Sequence, residues 1–180
     1  MDGASPYGTR PVTPDDAPAV VALVTACFRE YAAFAPSGWV PPTGEGAEDR
    51  MRAGLMRPTA AGLIASAPGD EHAGHVLWIA AGDTLREPSP DAGLAHLWQL
   101  FLEPRHRGLG LGRELLDVAT AGAAGSGFQA MRLYTPAGHS AARRFYERAG
   151  WTCVGEGEED RELRLPIVEY QRSLVPPRHN

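Results

Sequence analysis

The 180-residue chain has no lysine: all 17 of its cations are arginines, set against 22 acidic residues for a formal charge of -5. Without a lysine amine there is no Schiff-base chemistry and no G-x-x-x-x-G-K-[ST] phosphate loop. Any anion site must therefore use arginine or backbone N–H groups. The high Ala, Gly, Pro and Arg content fits codon usage in a GC-rich genome as the origin of the absence, and the exclusion holds whatever the origin. Cysteine is nearly as scarce. Cys27 and Cys153 lie far apart, neither is flanked by a metal-ligand spacing, and the start shows no charged-then-apolar leader. The expectation is a reducing, cytoplasmic setting without a disulfide framework. Long apolar runs are missing too: the longest clean stretch, Val76 to Ala81, is strand-sized beside the roughly 20 residues of a membrane helix. No basic block exists to grip phosphate backbones, which argues against nucleic acid as a partner. His72-x-x-His75 lacks a third ligand at matching spacing, so no metal is expected. Gly125-Ser126-Gly127 lacks the G-x-S-x-G frame of a serine nucleophile.

What is present describes one globular domain spanning 1–180, 43% apolar and 22% charged, long enough to bury a single core. Residues 1–8 read as loose. A short strand at 10–12 runs through Thr13-Pro14-Asp15-Asp16 into a helix over 17–31, with Val20, Leu23, Val24 and Cys27 at helical spacing. The Pro/Gly-rich stretch 35–46, holding Trp39, is a lid or a packed surface crossing. A helix at 47–56 precedes a hairpin of strands 62–67 and 74–81, joined by Pro68-Gly69-Asp70-Glu71. Leu94 to Leu102 is almost unbroken apolar sequence, as in a central strand buried on both faces. A helix over 109–126 follows, its stripe Leu111, Leu115, Val118 and Gly122. Then come a strand at 131–134, a helix at 140–149 stopped by Gly150, and strands at 151–155 and 162–170 flanking an acidic turn, Glu156 to Asp160. No repeat or second domain is visible.

Arg107-Gly108-Leu109-Gly110-Leu111-Gly112 follows the apolar strand and opens a helix. Glycines let the backbone approach a ligand, and unpaired N–H groups at a helix start attract an anion. A dinucleotide fingerprint G-x-G-x-x-G would need glycine at Arg113 or Leu115, so it fails. The remaining alternatives are an anion site and a plain sharp turn. A second constellation lies on the next strand-loop-helix unit, Tyr134 through His139, Ala142 and Tyr146 to Gly150 and Trp151.

With both in view, the sequence resembles the GNAT superfamily of N-acetyltransferases. Its acetyl-CoA motif, Q/R-x-x-G-x-G/A, is matched at Arg107, Gly110 and Gly112, with Gly108 as an extra glycine. Its second motif, N-x-x-A followed by Y-x-x-x-G-F, is matched at Ala142, Tyr146 and Gly150, with Trp151 in the aromatic place. The match covers 93–157. The resemblance implies an α/β fold with a central mixed sheet of about six to seven strands and about four helices. It also implies that N–H groups from Arg107 through Gly108, Leu109, Gly110, Leu111 and Gly112 to Arg113 hold the pyrophosphate of coenzyme A. The strand end, Phe101 and Leu102, would pair with the pantetheine arm, which requires that strand to splay from its neighbour. Arg105, Arg113, Arg143 and Arg144 are candidates for the other phosphates. His139 stands where the family has asparagine, and His96 where many relatives carry a glutamate base.

The activity implied is acetyl transfer from acetyl-CoA, as cosubstrate, to a primary amine of a small-molecule or amino-acid-like acceptor, by direct attack in a ternary complex. An acceptor resembling lysine is neutral only about once in 2,500 molecules at pH 7, so a general base helps. His96 is chemically suited to it, with a satisfied core histidine as the plain alternative. Glu103 and the acidic turn are other carboxylate options. By period-two alternation Leu94, His96, Trp98, Leu100 and Leu102 share one strand face. Tyr146 is placed to donate a proton or hydrogen bond to the leaving thiolate. Tyr31, Phe34 and Trp39 could wall an acceptor pocket or simply pack the core. The rival class is a non-catalytic acyl-CoA-binding module, and a homodimer is left open.

Overall fold

The computed structural model describes residues 5–42, 44–84 and 88–175. Seven strands are introduced in chain order: β1 (Gly8–Pro11), β2 (Ala61–Ala67), β3 (Asp70–Ala80), β4 (Leu94–Leu102), β5 (Ala130–Pro136), β6 (Thr152–Glu159) and β7 (Pro166–Ser173). They form one sheet in the order β1-β2-β3-β4-β5-β7-β6. Every neighbouring pair is antiparallel except β4 and β5. That parallel pair needs a crossover, and a helix supplies it.

The helices are α1 (Ala17–Phe28), α2 (Ala47–Leu55), α3 (Leu111–Gly125) and α4 (Ser140–Arg148). Against one sheet face, α1 and α2 bury Ala17, Val20, Val24 and Met51 on Ile64 and Leu77. On the other face, α3 and the Tyr146 side of α4 cover Val76, Trp78, Leu97, Met131 and Leu133. The α3 stripe differs from the expected one. Leu111, Leu115, Leu116, Ala119 and Ala123 are buried while Val118 is 39% exposed, and the helix starts at Leu111 rather than 109, after Gly110 in a left-handed conformation (φ 95°). Gly122 does pack inward, with so little room that an added Cβ would lie 2.7 Å from the Trp78 ring.

Other boundaries shift for identifiable reasons. The first helix tightens into a 3-10 turn at Arg29–Ala33 instead of running to Tyr31. β3 begins at Asp70, so the hairpin turn is only Pro68-Gly69, with Gly69 at φ 77°. The acidic segment is not a turn: Glu156 to Glu159 continue β6, an edge strand open to water, and the turn falls at Asp160, whose Oδ1 accepts from the N–H groups of Glu162 (3.0 Å) and Leu163 (2.6 Å). An edge strand tolerates charge because one side of its ladder faces solvent. Part of the predicted loose N-terminus, residues 1–4, lies outside the described residues. Ser5 bonds Glu114 at 2.8 Å, and the Tyr7 hydroxyl lies 3.2 Å from His106 Nδ1.

Candidate active site

β4 and β5 pair only over Leu94–Ala130, Ala95–Met131 and His96–Arg132. Beyond His96 they part, although β4 runs on to Leu102 and β5 to Pro136. The sequence reading made this splay a condition, and it is present. Its mark on burial is a continuous half-exposed stretch, Trp98 to Leu102, where a strand buried on both faces was expected.

The faces of β4 also depart from simple alternation. β3 register passes from Leu77–Gln99 to Trp78–Leu97, leaving Trp98 as a bulge. Two residues opposite one reverse the parity beyond that point. Leu100 and Leu102 consequently pack with the α3 core, while Trp98 and Phe101 join the α1 and α2 core. The expected shared face of His96 with Leu100 and Leu102 is corrected accordingly. His96 is half-buried at the last paired position, its ring 5.6 Å from that of Tyr134.

Past β4, a 3-10 turn at Pro104–His106 leads into Gly108 (φ 75°) and Gly110 (φ 95°). Both have backbone dihedrals that favour glycine. The first backbone bonds of α3 run from Arg113 and Glu114 to the Gly110 carbonyl, and the N–H groups of 108–112 make no backbone hydrogen bond among the described residues. Five donors at the positive end of a helix dipole form an anion cradle. Leu109 is exposed at its tip and Leu111 is fully buried beneath it. An added Cβ on Gly112 would sit 3.2 Å from Leu102.

Arg107 does not point at this cradle. Its guanidinium donates to the Leu102 carbonyl (3.3 and 3.2 Å) and to Cys27 Sγ (3.4 Å), and pairs with Glu30. It thus ties the end of β4 to α1 and the 3-10 turn behind it. Burial pushes the Cys27 thiol up, partly offset by Arg107.

The other arginines divide. Arg105 pairs with Asp70 at 2.7 Å and Arg113 with Asp117 at 2.8 Å. Arg143 donates to the Tyr170 hydroxyl and the Ala137 carbonyl, both at 3.3 Å. Arg144 and Arg148 pair with no carboxylate among the described residues. With Arg113, Ala141, Phe145 and Ala149 they line a cavity of about 370 Å³ between the start of α3 and the length of α4. The sequence reading missed Arg148, although its i,i+4 spacing from Arg144 would have put both on one helix face.

His139 caps α4, its Nδ1 accepting from the Ala142 N–H at 3.4 Å. That contact makes Nε2 the protonated nitrogen of the neutral ring. Burial, then Arg107, lowers its pKa. The ring is embedded in aromatics, 5.4 Å from Tyr31 and 5.1 Å from Phe34, and Tyr31 stacks on Trp39 at 6.0 Å. Trp39 Nε1 in turn donates to the Leu163 carbonyl at 2.6 Å, so the chain is tied down at Trp39. Tyr146, buried, lies on α4 beneath this cluster. Burial pushes its phenol up, and burial first, then the nearby Tyr146, pushes the Tyr31 phenol up. Neither hydroxyl has a hydrogen-bond partner among the described residues.

Among the described residues no group of three His, Cys, Asp or Glu could hold a metal ion, and no helix is long and apolar enough to cross a membrane.

The model of the acetyltransferase (GNAT) family matches residues 24–151. Comparison with curated protein sequences finds no match. Among solved structures, the PaiA N-acetyltransferase of Thermoplasma acidophilum in complex with coenzyme A superposes with a TM-score of 0.72 at 16% identity, covering 93% of this chain and 98% of that one. A GNAT-family acetyltransferase from Staphylococcus aureus Mu50 gives 0.71 at 14% identity, over 94% and 99%. The ribosomal-protein-S18-alanine N-acetyltransferase of Escherichia coli gives 0.63 at 14% identity, over 97% and 99%. At these identities the likeness is one of fold.

Proposed function

The chain belongs to the acetyltransferase (GNAT) family, and from that premise we propose that it transfers the acetyl group of acetyl-CoA to a primary amine of a small-molecule or amino-acid-like acceptor, by direct attack in a ternary complex. The observation that carries this reading is the parting of β4 from β5 after His96, in line with the open N–H groups of 108–112. A long polar cosubstrate with a phosphate end needs both: main-chain groups along a strand for its amides, and a helix start for its charge.

On this reading Phe101 and Leu102 offer backbone groups to the pantetheine arm. The N–H groups of 108–112 hold the pyrophosphate, those of Arg107 and Arg113 being already bonded to Pro104 and Gly110, and the Arg113, Arg144 and Arg148 cavity takes the outer phosphate. Arg107 acts by fixing Leu102 and the turn. His139, capping through Nδ1, keeps Nε2–H as a single donor toward the pantetheine near Ala142. Bound acetyl-CoA supplies an activated thioester. His96 takes the proton from the attacking amine, directly or through a water, in the range where a neutral imidazole is available. Tyr146, kept protonated by burial, donates to the departing sulfur. The two free cysteines fit a reducing cytoplasmic setting.

Calorimetric titration with coenzyme A, beside thiol release from acetyl-CoA across a panel of amines, tests the proposal. The expected result is binding with amine-dependent release. Binding without release on any amine would support the non-catalytic module instead, and no binding would overturn both.

A further inference from the structure

His72 and His75 have no part in the chemistry above, yet with Gln99 they form a polar chain whose middle ring is fully buried. His75 is completely buried in β3. Its Nδ1 is 3.0 Å from His72 Nε2 and its Nε2 is 3.0 Å from Gln99 Oε1. Two strand residues three apart would ordinarily face opposite sides of a sheet. Here Ser66 alone stands opposite Glu71, His72 and Ala73, and this bulge brings the two rings onto the same side. The distortion serves no hairpin geometry, since the turn is already closed at Pro68-Gly69.

The chain ends on Gln99, the residue following the β4 bulge, on the half-exposed stretch where β4 has left β5. A neutral imidazole has one donor and one acceptor. Burial drives the His75 pKa down to about 3 and lowers that of His72, so both rings are neutral. Gln99 Oε1 can only accept, so His75 Nε2 donates to it, and His75 Nδ1 accepts from His72 Nε2–H. That order leaves the Gln99 NH2 turned away from β3, and it makes no hydrogen bond to any described residue. A carboxamide half-buried beside the cleft, with its oxygen anchored by a dry imidazole pair, presents two donors in a fixed direction.

We infer that Gln99 is a specificity-determining residue: its NH2 holds an oxygen of the acceptor, a carbonyl or carboxylate close to the reacting amine, and His75 with His72 are the positioning residues that aim it. This rests on the proposed acetyl transfer and narrows its substrate class from amines in general to amines carrying an adjacent oxygen acceptor, such as an α-amino acid amide. Plain alkylamines lack the group and leave the Gln99 donors unanswered.

The test compares kcat and KM of the full chain for an α-amino acid amide and for an alkylamine of equal length. With each kcat/KM expressed per neutral amine, because the α-amino group and the alkylamine differ by about 2.5 pKa units, the expected wild-type preference for the amide is about tenfold, the scale of one net hydrogen bond. Gln99→Leu is expected to bring that ratio close to one, mainly through KM for the acceptor, with KM for acetyl-CoA held. Gln99→Asn, which keeps a carboxamide on a shorter arm, should restore part of the ratio. His75→Gln should also lower it, which mere loss of stability would not do, since instability reduces both rates together. A wild type that treats the two amines alike, or a preference that survives Gln99→Leu, overturns this inference and leaves acetyl transfer standing. Coenzyme A binding with neither these two amines nor any other of the amine panel acetylated overturns acetyl transfer and this inference with it.

Discussion

At the scale of single residues, the proposed chemistry asks one group to take a proton and another to hold its own until the thiolate departs. Tyr146 is built to keep it, its phenol raised by burial alone. Tyr146→Phe is expected to lower kcat by about 100-fold with a much smaller change in coenzyme A affinity, read by steady-state rates beside calorimetry; an unchanged kcat removes Tyr146 from the mechanism. His96→Ala should abolish most activity at neutral pH and recover part of it as pH rises and the acceptor amine deprotonates without help. A pH–rate profile identical to that of the wild type removes His96. His75 carries a separate, structural prediction. Its pKa falls from the ordinary 6.5 to about 3 on folding, so between those values the unfolded chain holds more protons there than the native one. Stability must therefore fall as pH drops through that window, by at most about 1.4 kcal/mol per unit from this group. Urea midpoints at pH 7 and pH 4.5 check it, and His75→Gln should flatten the difference.

At the scale of elements, the strand-turn-helix unit from β4 to α3 is the working part. Gly110 holds its entry in a left-handed conformation with open space around a would-be Cβ, so Gly110→Ala should strain the backbone without a clash. The expected cost is about 1–2 kcal/mol of stability, with a several-fold loss of coenzyme A affinity as the N–H groups turn. Chemical denaturation and calorimetry read the two separately. This unit was also the most legible in the sequence. The apolar run from Leu94 to Leu102 gave the strand its bounds, and the glycines after Arg107 gave the turn. The faces of β4 were not legible, because the Trp98 bulge that reverses them depends on pairing with β3, and no periodicity within one strand records its partner's register. The acidic residues of β6 were misread for the same reason: Glu156 to Glu159 look like a turn until β7 is there to pair with them. His72 and His75 likewise look like a spare metal pair, since only the β2–β3 bulge brings their rings together.

At the scale of the molecule, two connections join the proposed cofactor side to the proposed acceptor side. Arg107 binds β4 to Cys27 and Glu30, and the Tyr31, Phe34 and Trp39 crossing reaches from α1 to His139 and Leu163. The lack of lysine bears on the proposed site: the cradle at 108–112 is main chain and the cavity beside it is lined by arginine, so the described residues offer no side-chain amine there. Incubated with acetyl-CoA, the chain should gain at most one acetyl group, at its N-terminal amine, as intact mass would show. Acetylation at further sites would mean that another nucleophile is reached. The central claim is that this cleft passes an acetyl group from sulfur to nitrogen. The most direct measurement is the ratio of thiol released to amine acetylated, taken on the same reaction with the wild-type chain. The account predicts one to one, with no release when the amine is omitted; thiol release that proceeds without an acetylated amine would contradict it.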